Sequence, residues 1–184
     1  TGQTLNNANQ EYHYQTTGPE IWNDTDGHVD YFVAMGGTAG TIVGTGRYLR
    51  EKNPNVKIIG VQAAPTSRPD NPDFTGHIVD GTLPLGRVDE SLVPTIIKDN
   101  RNNGFEFDEI IDIKAEEAYE TAQETAKTDG LFLGTSAAAA LTAAIQIAKR
   151  PEAAGKNIVV IYADNGYKYL STDLYKRKKK SEAV

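Results

Sequence analysis

The sequence predicts an α/β domain, a mainly parallel twisted sheet flanked by helices. Two observations carry this. Short apolar runs of strand length alternate along the chain with longer stretches of helical pattern, an alternation that builds parallel sheets with helices on their faces. Glycine-rich turns follow the apolar runs, as at Gly36-Gly37 after Val29 to Ala34, where a strand hands over to a helix. The bulk composition agrees: 39% hydrophobic and 24% charged residues are ordinary for a globular chain. A length of 184 residues suits one domain or part of a larger one.

The elements follow in order. Residues 1–28 are polar, and Thr17-Gly18-Pro19-Glu20 reads as a helix start, with proline tolerated at the first helical position. Val29 to Ala34 is a buried strand, and Thr41 to Lys52 a helix closed by Asn53-Pro54-Asn55. Lys57 to Val61 completes a β-α-β unit with parallel strands. From Gln62 to Phe107, prolines and glycines crowd together, and a loop-rich excursion over the mouth of the sheet is expected. Glu109 to Ile113 reads as a strand, and Ala115 to Thr128 as a helix stopped by Asp129-Gly130. Leu131 to Leu133 is expected as a short strand, and Gly134-Thr135-Ser136 opens an alanine-rich helix reaching Lys149. Asn157 to Tyr162 is the final strand.

Several function classes are disfavoured. A net charge of −6 argues against a nucleic-acid partner. The basic run Lys176 to Lys180 reads as a solvated tail. Every apolar run falls well short of the ~20 residues that cross a bilayer, and the first residues do not read as a signal peptide. With no cysteine, disulfides and thiolate metal sites are out of reach. A cytoplasmic protein is expected. His13, His28 and His77 lack metal-ligand spacing, so no metal is expected. Glu116-Glu117 sits at a helix start, where acidic side chains complement the dipole.

Three segments sit beyond the C-terminal ends of strands, where α/β folds bind ligands. Gly37-Thr38-Ala39-Gly40-Thr41 offers close backbone approach, free N–H groups of a first helical turn and two hydroxyls. That makes an anion site suited to a phosphate ester; read alone, it is equally a tight strand-to-helix turn. Ser136, in Gly134-Thr135-Ser136-Ala137, is either a helix cap or a hydroxyl partner for a ring nitrogen, which it would leave largely unprotonated. Asp164-Asn165-Gly166 is either a turn or a pocket wall.

These segments lie within a longer likeness. Asn6-Asn7-Ala8-Asn9, Tyr14 to Trp22, Gly44 to Leu49, Ala148 to Glu152, Ala154-Gly155-Lys156 and Lys168 to Thr172 resemble the cysteine synthase (O-acetylserine sulfhydrylase) and cystathionine β-synthase family. The likeness runs through nearly the whole chain except about residues 63–107. It implies a fold type II enzyme that uses pyridoxal 5'-phosphate (PLP), works as a homodimer and performs β-replacement on an activated serine. The substrates implied are a small amino acid such as O-acetylserine and a thiol: sulfide for cysteine synthesis, homocysteine for the cystathionine alternative. The family's phosphate loop matches Gly37, Thr38, Ala39, Gly40 and Thr41, with Ala39 in place of a usual glycine. Its ring-nitrogen serine matches Ser136, followed here by Ala137-Ala138 instead of Ser-Gly. Gln3 and Gly81 match substrate-side positions, although Thr82-Leu83-Pro84-Leu85 replaces further family glycines.

The resemblance also implies a Schiff-base lysine and an Asn/Thr-rich substrate loop in an N-terminal portion with no counterpart here. Lys57 stands at the wrong end of its strand, Lys168 lies in a segment matching another part of the family, and the other lysines read as surface positions. No catalytic residue is therefore assigned. Residues 1–184, opening Thr1-Gly2-Gln3 without an initiator Met, are expected to be the C-terminal, phosphate-binding part of a larger enzyme, inactive alone. A non-catalytic PLP-binding or interaction module is the rival reading.

Overall fold

The computed structural model describes residues 2, 3 and 5–176; most of the basic run at Lys176 to Lys180 lies outside them. A four-stranded parallel sheet is built from β1 (Tyr31–Met35), β2 (Lys57–Ala63), β3 (Glu109–Ile113) and β4 (Ile158–Val160), in the order β3-β2-β1-β4. Helices α1 (Ala8–Gln15) and α2 (Thr17–Asp24) precede β1. Then α3 (Gly40–Lys52) links β1 to β2, α4 (Thr95–Asn102) lies between β2 and β3, and α5 (Ala115–Thr128) and α6 (Thr135–Ala148) precede β4.

Strand periodicity divides the core in two. Successive side chains of a strand point to opposite faces, so Phe32 and Ala34 join Ile42, Val43 and Leu49 of α3 on one side. Val33 faces the other way, with Ile59, Val61, Ile111 and Ile113, against the alanines of α5 and α6. A parallel sheet covered on both faces needs this near-continuous apolar patterning. The alanine-rich face of α6 is fully buried at Ala137 to Ala140 and Ala143. Alanine combines the best helix propensity with little bulk, so α6 lies close on the sheet.

The topology sets the site. From β1 the chain moves outward through β2 to β3, then returns to β4 on the other side of β1. The connection leaving β1 packs on one face and α6, before β4, on the opposite one. Such a reversal opens a crevice at the carboxyl ends of the two strands.

The alternation and the parallel β1-α3-β2 unit are as expected, and three expectations are corrected. The loop-rich excursion contains α4, whose Ile96, Ile97 and Asn100 are buried; Pro94 at its N-cap and only eight residues of helix hid the pattern. Leu131 to Leu133 is no ladder strand: Leu133 makes a single antiparallel bridge to Asn165, because Asp129-Gly130 and Gly134 on either side bend the chain away. The last strand is three residues long; the Ile161 N–H still bonds the Val33 carbonyl at 3.1 Å, and beyond it the chain runs to Ala163 in the wall of the crevice.

Candidate functional site

The loop after β1 is shaped by contacts that admit little besides small residues. A Cβ on Gly36 would lie 2.5 Å from the Leu85 side chain, and one on Gly37 would lie 3.1 Å from the Gly81 carbonyl oxygen. Ala39 holds φ 69°, the left-handed conformation that costs a residue with a Cβ on the order of 1 kcal/mol. It turns the chain sharply enough for α3 to begin at Gly40. The first turn of α3 then presents N–H groups that have no preceding carbonyl to bond, with the positive end of the helix dipole behind them.

Asn9 of α1 organises this loop, and its role was not foreseen from the sequence. Its Nδ2 donates to the Gln3 carbonyl at 3.0 Å and to Thr38 Oγ1 at 2.9 Å. A Cβ on Gly40 would fall 2.0 Å from Asn9 Oδ1, so only glycine lets Asn9 lie so close. Thr38 Oγ1 also accepts from the Gly40 N–H at 3.3 Å. With two N–H donors on its oxygen, the Thr38 hydroxyl keeps its own proton for a ligand. Thr41 Oγ1 meets His13 Nε2 at 3.2 Å, and His13 Nδ1 meets Thr17 Oγ1 at 2.8 Å. Burial pushes His13 below the usual histidine range. The neutral Nε2–H tautomer satisfies both contacts, donating to Thr41 and accepting from Thr17, and so aims the Thr41 hydroxyl proton away from His13.

Ser136 lies in the first turn of α6 and is buried. Its Oγ donates to Asp164 Oδ1 at 2.8 Å, the Ala137 N–H donates to the same oxygen at 3.2 Å, and the Tyr169 hydroxyl donates to Oδ2 at 2.5 Å. Burial, and then the bond to Asp164, hold the Tyr169 phenol above the usual tyrosine value, so it stays a donor. Asp164 thus sits behind Ser136 and is bonded to it, while the neighbouring Ala163 is the residue of this segment that lines the cleft. A Cβ on Gly134 would sit 2.1 Å from Asp164 Oδ2, so glycine before α6 makes room for the carboxylate.

The 79–83 segment covers the crevice. The Asp80 N–H donates to Thr135 Oγ1 at 3.0 Å, the Leu83 N–H donates to the Gly36 carbonyl at 3.0 Å, and Lys168 Nζ bonds Asp80 Oδ2 at 2.5 Å. The Lys168 ammonium holds the Asp80 carboxyl below the usual carboxylate range.

A cleft of about 200 Å³ opens between these walls, lined by Gln3, Gly37, Thr38, Ala39, Thr41, Gly81 and Ser136. Residues more than 130 positions apart in sequence therefore meet at one cavity. Gly40 lies just beneath, against Asn9. One end of the cleft is an anion cradle of N–H groups and two hydroxyls, and the other ends on a buried serine. A molecule with a phosphate at one end and a planar polar ring at the other fits these walls. Among the described residues, no cluster of three or more histidine, aspartate or glutamate side chains could hold a metal ion, and no helix is long and apolar enough to cross a membrane.

Comparison with known proteins agrees with this geometry. Residues 1–164 match the family described as pyridoxal-phosphate dependent enzyme. The cysteine synthase of Aquifex aeolicus is 40% identical over 175 residues, 94% of this chain and 48% of the relative. The O-acetylserine dependent cystathionine beta-synthase of Bacillus subtilis is 36% identical over 173 residues, 94% of this chain and 52% of the relative. O-acetyl serine sulfhydrylase isoform 3 from Entamoeba histolytica superposes with a TM-score of 0.79 at 36% identity, over 97% of this chain and 50% of that one. The chain spans about half the length of the curated relatives it matches. With a parallel α/β sheet, a glycine-rich loop at its switch point and these relatives, the chain belongs to the pyridoxal-phosphate dependent enzyme family.

Proposed function

We propose that this chain is the cofactor-cradling part of an enzyme that makes cysteine from O-acetylserine and sulfide by PLP-dependent β-replacement. The observation that carries the reading is the single cleft lined by both the 37–41 loop and Ser136. The α3 N-terminus and the Thr38 and Thr41 hydroxyls would hold the phosphate, and Ser136 would face the ring nitrogen. Gln3 and Gly81, on the open side of the cleft, would touch substrate. Bound there, PLP supplies the electron-withdrawing ring that labilises bonds at the substrate α-carbon.

This chain's residues bind, orient and exclude water; the lysine that anchors the cofactor and moves the α-proton would come from a separate N-terminal portion. The assembled enzyme is inferred to be a cytoplasmic homodimer. The cystathionine alternative, with homocysteine as the thiol, draws support from the Bacillus subtilis relative.

Equilibrium dialysis tests the cofactor reading directly. PLP is expected to bind saturably, and Thr38→Val or Thr41→Val to weaken it about tenfold each, since a hydrogen bond to a charged group is worth about 1.5–3 kcal/mol. No saturable binding, alone or with the lysine-bearing portion of a relative added, would refute the reading. With that portion present, sulfide against homocysteine as the thiol separates the two reactions.

A further inference from the structure

A second cavity, of about 390 Å³, adjoins the cofactor cleft: Gly81 and Thr82 line both. Its size falls within the ~300–1,000 Å³ usual for small-molecule sites. Two charges border it without meeting. Arg68 lies half-buried just after the short turn Pro65–Ser67 that follows β2, and its Nε is buried with no hydrogen-bond acceptor. Among the described residues the guanidinium has no ion-pair partner either. Leaving a buried donor of a charged group unbonded is costly, and native structures hold few such groups without a reason. Asp70 also lines the cavity and is likewise unpaired among the described residues. The other acid of the lining, Asp80, is already taken by Lys168.

The neighbours of these charges complete a pattern. Ser67 is buried and lines the cavity, and its Oγ accepts the Ala115 N–H at 2.8 Å, which leaves the hydroxyl proton for a further acceptor. Ser67 and Arg68 are thus adjacent donors, and a guanidinium fork matches the two oxygens of a carboxylate. Asp70 can only accept, which suits an ammonium group. The rest of the wall is largely apolar, and Ile78, Leu83 and Leu92 are all exposed there. Large apolar side chains left open around one hollow mark a binding site, where single scattered ones would not.

We infer that this cavity binds a small α-amino acid with an apolar side chain. Its carboxylate would lie on Arg68 and Ser67, its ammonium on Asp70 and its side chain on Ile78, Leu83 and Leu92. A simple anion would leave Asp70 unmatched and the apolar wall uncovered, and an uncharged apolar molecule would leave Arg68 unmet. The site goes beyond the cofactor reading and does not require PLP to be bound, although Gly81 and Thr82 set the bound amino acid beside the cleft.

Isothermal titration of this chain with L-leucine, in the absence of PLP, tests the inference. L-leucine is expected to bind at one site and to shift the amide resonances of Ser67, Arg68, Asp70 and residues 78–83. L-leucinol, which lacks the carboxylate, and 4-methylpentanoate, which lacks the ammonium, should each bind about tenfold more weakly. Arg68→Gln should weaken L-leucine by a similar factor and leave L-leucinol unchanged; Asp70→Asn should weaken L-leucine and leave 4-methylpentanoate unchanged. Excess inorganic phosphate, directed to the 37–41 loop, should not displace L-leucine. Failure of L-leucine to bind, L-leucinol binding as tightly as L-leucine, displacement by phosphate, or amide shifts confined to the 37–41 loop would each overturn the inference. None of these outcomes touches the PLP reading, which the dialysis experiment decides separately.

Discussion

At the scale of single residues, the site depends on side chains that aim other side chains. Asn9 is half-buried on α1 and carries no chemical signature of its own, yet it fixes Thr38 and the Gln3 carbonyl at once. Asn9→Ala should therefore weaken phosphate-ester binding about tenfold, the loss of roughly one oriented hydrogen bond, while Asn9→Asp should weaken it further by placing a negative charge beside the cradle. Binding of PLP and of inorganic phosphate, compared across the two variants, checks this; unchanged affinity in Asn9→Asp would remove Asn9 from the site. His13 makes the second residue-scale prediction. Its proton affinity is lowered by burial, so the folded state prefers the neutral ring. That preference contributes stability above the ordinary histidine value of about 6.5, and the contribution is lost as pH falls through the lower folded value. The carboxyls of Asp80, Glu109 and Glu116 are also held low, but their losses fall in the carboxylate range, near pH 4 and below. The difference in urea midpoint between wild type and His13→Asn should shrink as pH drops below about 6.5. A difference constant from pH 8 to 5 would separate His13 from any such linkage.

At the scale of elements, α1 reaches the site because α3 lets it come close. A Cβ on Gly44 would lie 2.0 Å from the Gln10 carbonyl oxygen, and one on Gly18 would lie 2.7 Å from Tyr48. The Gly44 contact is with backbone, so relief requires the helices to part. Gly44→Ala should cost about 2–3 kcal/mol despite alanine's better helix propensity, lowering Tm by roughly 5–10 °C. It should also loosen Asn9 from the 37–41 loop and so weaken PLP binding. A Gly44→Ala protein as stable as wild type would mean that α1 is not anchored at this contact. The same packing explains what the sequence could and could not reveal. The strands and α3, α5 and α6 were legible because their apolar periodicity answers to a sheet covered on both faces. The glycine loop was legible as a turn and an anion site. The partnerships of Asn9 with Thr38 and of Asp164 with Ser136 were not, since each joins segments about 28 residues apart or more through tertiary contact, and pattern along the chain carries no record of that. Helix α4 escaped because eight residues with prolines and glycines around them give too few turns for periodicity to show.

At the scale of the whole molecule, the sheet ends unevenly. Edge strand β3 carries Arg150 clamped on Glu109 through two bonds of 2.7 and 2.8 Å, a charged fitting of the kind that blunts an edge. At the other edge, β4 pairs with β1, and its Ile158, Val159 and Val160 are only half-buried. Near its carboxyl end Tyr162 is 43%, Tyr167 73% and Leu170 65% exposed. Apolar strands of a parallel sheet are ordinarily covered, and an edge left unpaired among the described residues, with aromatic neighbours, invites pairing with another chain. Because the chain spans about half the length of its relatives, we take a segment from the remaining half as the intended cover for β4. Alone at tens of micromolar, the chain is expected to self-associate in light scattering, and Val159→Lys, which places a charge on the edge strand, to reduce the association. Adding the lysine-bearing N-terminal portion of a relative should replace self-association with a defined complex and slow hydrogen exchange at the amides of β4. A chain that stays monomeric across the concentration range, with β4 amides as protected as those of β2, would show that the edge needs no cover, and the case for an N-terminal partner docking there would fall with it.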